Sequence, residues 1–156
     1  MTERAVSTVV GVAALLAVTV ALAAGAGIAL QAAAGTAASE GPPQARLELS
    51  ADPDGTVVLA HVGGDRLDVG TLRVWVAVDG EALDDQPPVP FFSAHGFVSG
   101  PTGPFNAASD PAWTAGETAG VRVASTNSPT VDRGSTVTVR VYADDDLIFE
   151  GTTTAG

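Results

Sequence analysis

The sequence contains no cysteine and no lysine. Without cysteine there is no disulfide framework and no thiol chemistry. An extracellular domain of this kind must rely on its core, on assembly or on salt. Without lysine, all seven basic residues are arginine, set against 18 Asp and Glu, and the formal net charge is −11. Such a charge argues against nucleic acid or anionic lipid as a partner of the acidic part. Strong acidity with arginine as the sole base points to a GC-rich organism living in high salt, where surface repulsion is screened. Charge itself is missing over one long stretch, the 35 residues from Ala5 to Ser39.

The dense apolar part of that stretch, Ala5 to Leu30, is 26 residues long. About 20 apolar residues span a bilayer as a helix, so this segment is long enough to cross with some tilt. It has three possible uses: a discarded signal, a membrane anchor, or an assembly element packed against copies of itself. A secretory apolar region is only about 7–15 residues and follows a basic region. Here a single Arg4 is balanced by Glu3, and no twin arginine precedes the run. Thr36-Ala37-Ala38-Ser39 has the small residues of a signal-peptidase site. Alanines extend the helical pattern through Ala34, and Gly35, Gly41 and the Pro42-Pro43 pair then end it. The expected organisation is a helix over residues 6–34, a linker over 35–45 and a second domain over 46–154.

From Arg46 the apolar period changes to two. ARLELS, TVVLAHV, LRVWVAV, GVRVAS, STVTVRVYA and LIFEGTTT each read as a strand. Asp52-Pro53-Asp54-Gly55, Gly63-Gly64-Asp65, Asp79-Gly80 and Asp144-Asp145-Asp146 supply turn chemistry between them. Residues 84–115 are rich in proline and glycine, carry Phe91, Phe92, Phe97 and Phe105, and read as one or two irregular strands in long loops. Roughly seven short strands without a helical period imply a β-sandwich with an immunoglobulin-like outline. The fold class expected for the whole chain is α+β: a long N-terminal hydrophobic helix followed by this all-β domain.

Chemistry-bearing motifs are scarce. His61 and His95 have no partner at zinc-ligand spacing, and His61 reads as a strand residue. Asp52-Pro53-Asp54-Gly55 and Asp144-Asp145-Asp146 are acidic enough for calcium, yet neither fits an EF-hand loop and both suit turns. No G-x-S-x-G elbow, phosphate-binding loop or dinucleotide motif is present, and no sequence context ties Ser, His and Asp into a triad. Trp75 and Trp113 are candidates for a sugar or ligand site, with core or sheet-face packing as the competing reading. Asn127-Ser128-Pro129 is not a glycosylation sequon. Neither an enzyme nor a cofactor nor a bound metal is expected.

The start of the chain carries a resemblance. Arg4-Ala5-Val6-Ser7-Thr8-Val9-Val10-Gly11-Val12, followed by ALLAVTVALAA, resembles the start of archaeal type IV pilins, those of haloarchaea in particular. The resemblance covers residues 4–24. It implies pilin-like architecture and a prepilin peptidase that cuts between Ala5 and Val6, leaving residues 1–5 as the leader. The processing residues are then Arg4, Ala5 and Val6. The family often has proline where this chain has Thr8. Bacterial pilins usually carry glutamate at the position of Val10, so the archaeal branch fits better. LAHVGGDRLDVGTLRVWV is similar to a segment of haloarchaeal pilin-like proteins, and Ala115-Gly116-Glu117 and Arg133-Gly134-Ser135 resemble their turns before strands. An archaellin ranks lower, because its usual start differs. The family implies a surface filament for adhesion, self-assembly with other pilins, an assembly ATPase and a membrane platform. It also implies residence in the cytoplasmic membrane before assembly and on the cell surface afterwards. Small residues let helices approach closely, and the candidate packing positions are Gly11, Leu15, Leu16, Leu22, Gly25 and Gly27.

Overall fold

In TVTVRVYA, residues Thr136–Ala143, every second side chain is buried: Val137, Val139 and Val141 are inside, while Thr138, Arg140 and Tyr142 are only half-buried. Such alternation is what a pleated strand with one wet face requires. The same rule organises the rest of the computed structural model, which describes residues 41–156. Nine strands are formed: β1 Ala45–Ala51, β2 Thr56–Gly64, β3 Leu67–Asp68, β4 Leu72–Val78, β5 Glu81–Ala82, β6 Ala112–Trp113, β7 Thr118–Arg122, β8 Thr136–Ala143 and β9 Asp146–Thr154. They make a three-stranded sheet in the order β1-β2-β7, a four-stranded sheet in the order β5-β4-β8-β9, and a small β3-β6 pair. All strand pairs are antiparallel.

The two larger sheets share one apolar core. β4 and β8 are registered so that Val74 faces Val141, Val76 faces Val139 and Val78 faces Val137, and all six are buried. From the other sheet come Leu47 of β1, Val57 and Leu59 of β2, and Ala119 and Val121 of β7. β-branched side chains suit this pleated, tightly packed surface. Trp113, fully buried, packs edge-on against Phe105 at 5.3 Å between ring centres and against His61 at 5.7 Å. The turns follow their residues. Asp79 and Gly80 both have positive φ, 51° and 86°, the two-residue hairpin geometry that an Asp-Gly pair allows. Gly55 closes the β1–β2 turn at φ 90°, where a Cβ would collide with the Val123 carbonyl oxygen.

The Pro- and Gly-rich middle region forms little regular strand. Isolated bridges join Phe91 to Asn106, Phe97 to Val123 and Thr102 to Gly120, the last two covering the free edge of β7. Proline cannot donate to a ladder, so the chain turns here instead of pairing. Its aromatics still do core work: Phe91, Phe97 and Phe105 are buried, whereas Phe92 is 63% exposed.

The α+β class expected from the sequence is corrected by this structure. The described residues make a mostly β-sheet fold. Their helical content is two three-residue 3-10 turns, Val69–Thr71 and Gly103–Phe105, and no helix among them reaches seven residues. The physical reason is that apolar residues recur here with period two and are interrupted by Gly and Pro every few residues, which leaves no stretch that could bury a helical stripe. No helix among the described residues is long and apolar enough to cross a membrane. The leader over 1–5, the expected helix over 6–34 and all of the linker before Gly41 lie outside the described residues.

Truncating Trp113 to alanine removes the largest buried side chain, and large-to-small changes of this kind cost about 3–5 kcal/mol. Phe92→Ala, at an exposed position, is expected to stay within about 0.5 kcal/mol of the parent. Urea unfolding of both variants checks this, and equal losses would contradict the assignment of the core.

Candidate functional site

The period that buries the valines puts a different set of residues on the outer face of the four-stranded sheet. On β4 these are Arg73 and Trp75; on β8 they are Arg140 and Tyr142. Register places Arg73 directly opposite Tyr142 and Trp75 directly opposite Arg140. Each arginine lies over the ring across from it. The Arg73 guanidinium carbon is 5.0 Å from the Tyr142 ring centre, and that of Arg140 is 4.8 Å from the Trp75 ring centre. A guanidinium this close over a ring gains a cation–π attraction.

The two arginines differ in what else they bind. Arg140 donates from Nε to Glu150 Oε2 of β9 at 2.7 Å, and this hydrogen bond, with the charge of Glu150, raises the affinity of Arg140 for its proton. Its two terminal nitrogens are not used by that bond. Arg73 has no ion-pair partner among the described residues. Beside them stands Gln86, whose amide imitates a neighbouring strand. Val76 N–H donates to Gln86 Oε1 at 2.7 Å, and Gln86 Nε2 donates to the carbonyls of Val76 at 2.9 Å and Leu83 at 3.0 Å. Arg73, Val74, Trp75, Gln86, Arg140 and Tyr142 together line an open cleft of about 430 Å³. Two guanidiniums held in place on an otherwise acidic domain can bind carboxylates through charge-assisted hydrogen bonds.

The residues singled out from the sequence fall elsewhere. Arg4, Ala5 and Val6, and the packing positions Gly11, Leu15, Leu16, Leu22, Gly25 and Gly27, lie outside the described residues. Trp113 sits in the core, its Nε1–H donating to the Glu117 carbonyl at 3.2 Å. Trp75 lies on the outer face, under Arg140. His61 is buried on β2; its Nε2 donates to the Asp65 carbonyl at 2.9 Å, and its Nδ1 is buried with no partner. His95 is exposed and pairs through Nδ1 with Asp85 Oδ2 at 2.6 Å. That contact is held by buried Asn127. Asn127 accepts from Asp85 N–H at 3.1 Å and donates to the Asp85 and Gly96 carbonyls at 2.9 and 3.2 Å. Among the described residues no hydroxyl is hydrogen-bonded to either histidine, and no group of three His, Asp or Glu is placed to hold a metal. The first acidic turn, at Asp52-Pro53-Asp54-Gly55, is structural in geometry: Asp54 accepts from Thr56 N–H at 3.0 Å and pairs with Arg122 at 3.5 Å.

The sequence reading missed Arg73, Arg140, Tyr142 and Gln86. The alternation in LRVWVAV and TVTVRVYA places Arg73, Arg140 and Tyr142 on the polar face, which is a usable signal; Gln86 stands in the loop after β5, where no period marks it. That the two faces are neighbours is a matter of pairing, which a single strand does not encode. No family model matches this chain, and no curated protein matches it significantly.

Two carboxylates are held below the ordinary range by local hydrogen bonds. Hydroxyl and backbone donors of Thr56 lower Asp54, with Arg122 adding a smaller attraction; the backbone N–H and hydroxyl of Thr114 lower Glu117. A depressed carboxyl contributes stability that is present above the unfolded-state value of about 4 and is lost as pH falls through the folded value. Acid titration followed by circular dichroism is expected to show stability falling below about pH 4, with a shallower fall in an Asp54→Asn, Glu117→Gln double variant. An unchanged acid limb in that variant would assign the acid sensitivity to other groups.

Proposed function

We propose that the chain is the structural subunit of an archaeal type IV pilus-like surface filament, processed by a prepilin peptidase and used for adhesion or surface attachment. One observation carries this reading. A charge-free run of 35 residues follows Arg4 at once, and it opens with Ala5-Val6-Ser7-Thr8-Val9-Val10-Gly11-Val12, the stretch that resembles the archaeal processing region. Its physics is consistent. The precursor enters the cytoplasmic membrane with Arg4 retained inside and the acidic domain exported. The peptidase removes Met1 to Ala5. An assembly ATPase and membrane platform then extract the subunit. The apolar segment buries itself against copies of itself or other pilins, each Å² withheld from water being worth about 25 cal/mol. A repeated head-to-tail contact of this kind gives an open, non-closing array. The β-sheet unit with its own core faces outward. The chain has no catalytic role in this reading.

The cleft lined by Arg73, Trp75, Arg140 and Tyr142 favours a second reading, a binding module kept in the membrane by an uncut N-terminus or released by signal peptidase near Ala38. Intact-mass analysis of membrane and sheared surface fractions separates the readings. The filament subunit is expected in the sheared fraction as a chain starting at Val6, and Ala5→Glu is expected to block its processing. Normal maturation of that variant, or a mature chain starting near Ser39, would overturn the filament reading.

A further inference from the structure

The row of outer-face side chains that begins with Arg73 ends on an exposed leucine beside an acidic turn. Arg73 of β4 faces Tyr142 of β8, and Tyr142 in turn faces Leu147 of β9. Residues directly opposite in a ladder point to the same side, so all three share the outer face. Leu147 is 49% exposed, against 0% for Val137, Val139 and Val141 on the inner face of the adjoining strand. Between Tyr142 and Leu147 the chain turns through Asp144-Asp145-Asp146, all three exposed. The Asp144 N–H donates to the Thr71 carbonyl at 3.1 Å, two residues before Arg73, which fixes the turn at the same end of the sheet. Among the described residues none of these three aspartates takes part in an ion pair, and neither does Arg73. A cation and a run of acids thus lie at one end of one sheet without neutralising each other.

We propose that this face pairs with the same face of a second copy of the chain, Arg73 of each copy taking Asp145 and Asp146 of the other. Both halves of the contact lie in one chain, so a two-fold arrangement makes it twice. A guanidinium takes carboxylates through charge-assisted hydrogen bonds, and a turn of consecutive aspartates offers several. Tyr142 and Leu147 flank the turn in sequence and stand beside Arg73 in the row, so the same contact covers them and withdraws apolar surface from water. Charge selects this partner. The chain carries −11 with only seven basic residues, so two copies repel over most of their surfaces. On this face the signs alternate instead, with Arg73 and Arg140 set among Glu150 and the three aspartates. Salt screens the general repulsion, whereas pairs covered by the contact are screened less. The inference does not rest on filament assembly: an uncut chain carries the same face, and processing is read by mass, so the two fail separately.

The test exploits the absence of cysteine. Leu147→Cys in the full chain places a single thiol on the face, and Ser50→Cys places one at an exposed position of β1, in the other sheet. Each variant is held in an excess of detergent micelles and treated with a short bis-maleimide, and cross-linked dimer is measured on a denaturing gel. Leu147→Cys is expected to give most of the dimer and Ser50→Cys little. Adding Arg73→Asp to Leu147→Cys, or adding Asp145→Arg together with Asp146→Arg, is expected to lower the yield at least about tenfold, since each sets like charges together twice per dimer. These side chains are exposed, and both charge variants are expected to melt with the parent by circular dichroism. Mixing the two charge variants is expected to restore the yield, in mixed dimers identified by intact mass, because every contact of the mixed pair again joins opposite signs. Equal yields from Leu147→Cys and Ser50→Cys would mean that the apolar run alone brings the chains together. An unchanged yield in the charge variants would leave the arginine and the turn no part in the contact. A mixture that yields no more than its components would show that the two do not meet. Any of these three results overturns the proposal.

Discussion

The valine seam between β4 and β8 is the constraint on which the rest of the structure depends. Val74, Val76 and Val78 meet Val141, Val139 and Val137 across one ladder, and all are buried. A slip of one residue would turn each strand over and put Arg73, Trp75, Arg140 and Tyr142 into the core. Burying two guanidiniums costs far more than any cross-strand contact returns. The register is therefore fixed by what must stay out as much as by what must stay in. The cation–aromatic pairs on the outer face are a direct consequence: they are opposite one another because the valines are.

The weakly regular half of the domain is held by different means. Residues 84–115 have too many prolines to build ladders, so single polar side chains replace strands. The Gln86 amide stands in for a neighbour of Val76, and the Asn127 amide reaches back 42 residues to Asp85 and 31 residues to Gly96 and ties the two together. Each satisfies backbone groups that a loop would otherwise leave open. Around Trp113 the same economy holds. His61 links the β2 strand to the turn at Asp65, and its backbone accepts from Gly116 and donates to Glu117. Among the side chains of the described residues, His61 Nδ1 is the buried polar atom left without a partner.

The long strands were legible because period-two burial is a local property. ARLELS, TVVLAHV, LRVWVAV and STVTVRVYA all lie within β1, β2, β4 and β8 or extend a residue beyond them. Asp79-Gly80 was legible because few residue pairs accept two positive φ angles. Tertiary partnership was not legible. Nothing in the local sequence says that Arg140 lies over Trp75, that Gln86 closes an edge, or that Phe92 is exposed while Phe91 is buried. The class assignment failed for a related reason. It added the helical pattern of 6–34 to the β pattern beyond it, while the described chain contains only the second, with short 3-10 turns in place of helix.

The acidity also has two meanings that composition alone merges. Six of the acids are hydrogen-bond acceptors for the backbone: Asp54 for Thr56, Asp65 for Gln44, Asp68 for Gly70, Asp79 for Thr136, Asp110 for Ala112 and Glu117 for Thr114. In these positions aspartate acts as turn chemistry, satisfying N–H groups that no ladder reaches. Their charge accompanies that role and is tolerated where salt screens it. Lysine, with donors only, could not serve in any of them. The few arginines are then free to be placed where a planar fork is useful: Arg122 across to Asp54, Arg140 between Glu150 and Trp75, Arg73 over Tyr142. On such a surface the sheet face bearing Arg73 and Arg140 differs from its surroundings in sign, in planarity and in having rings beneath it.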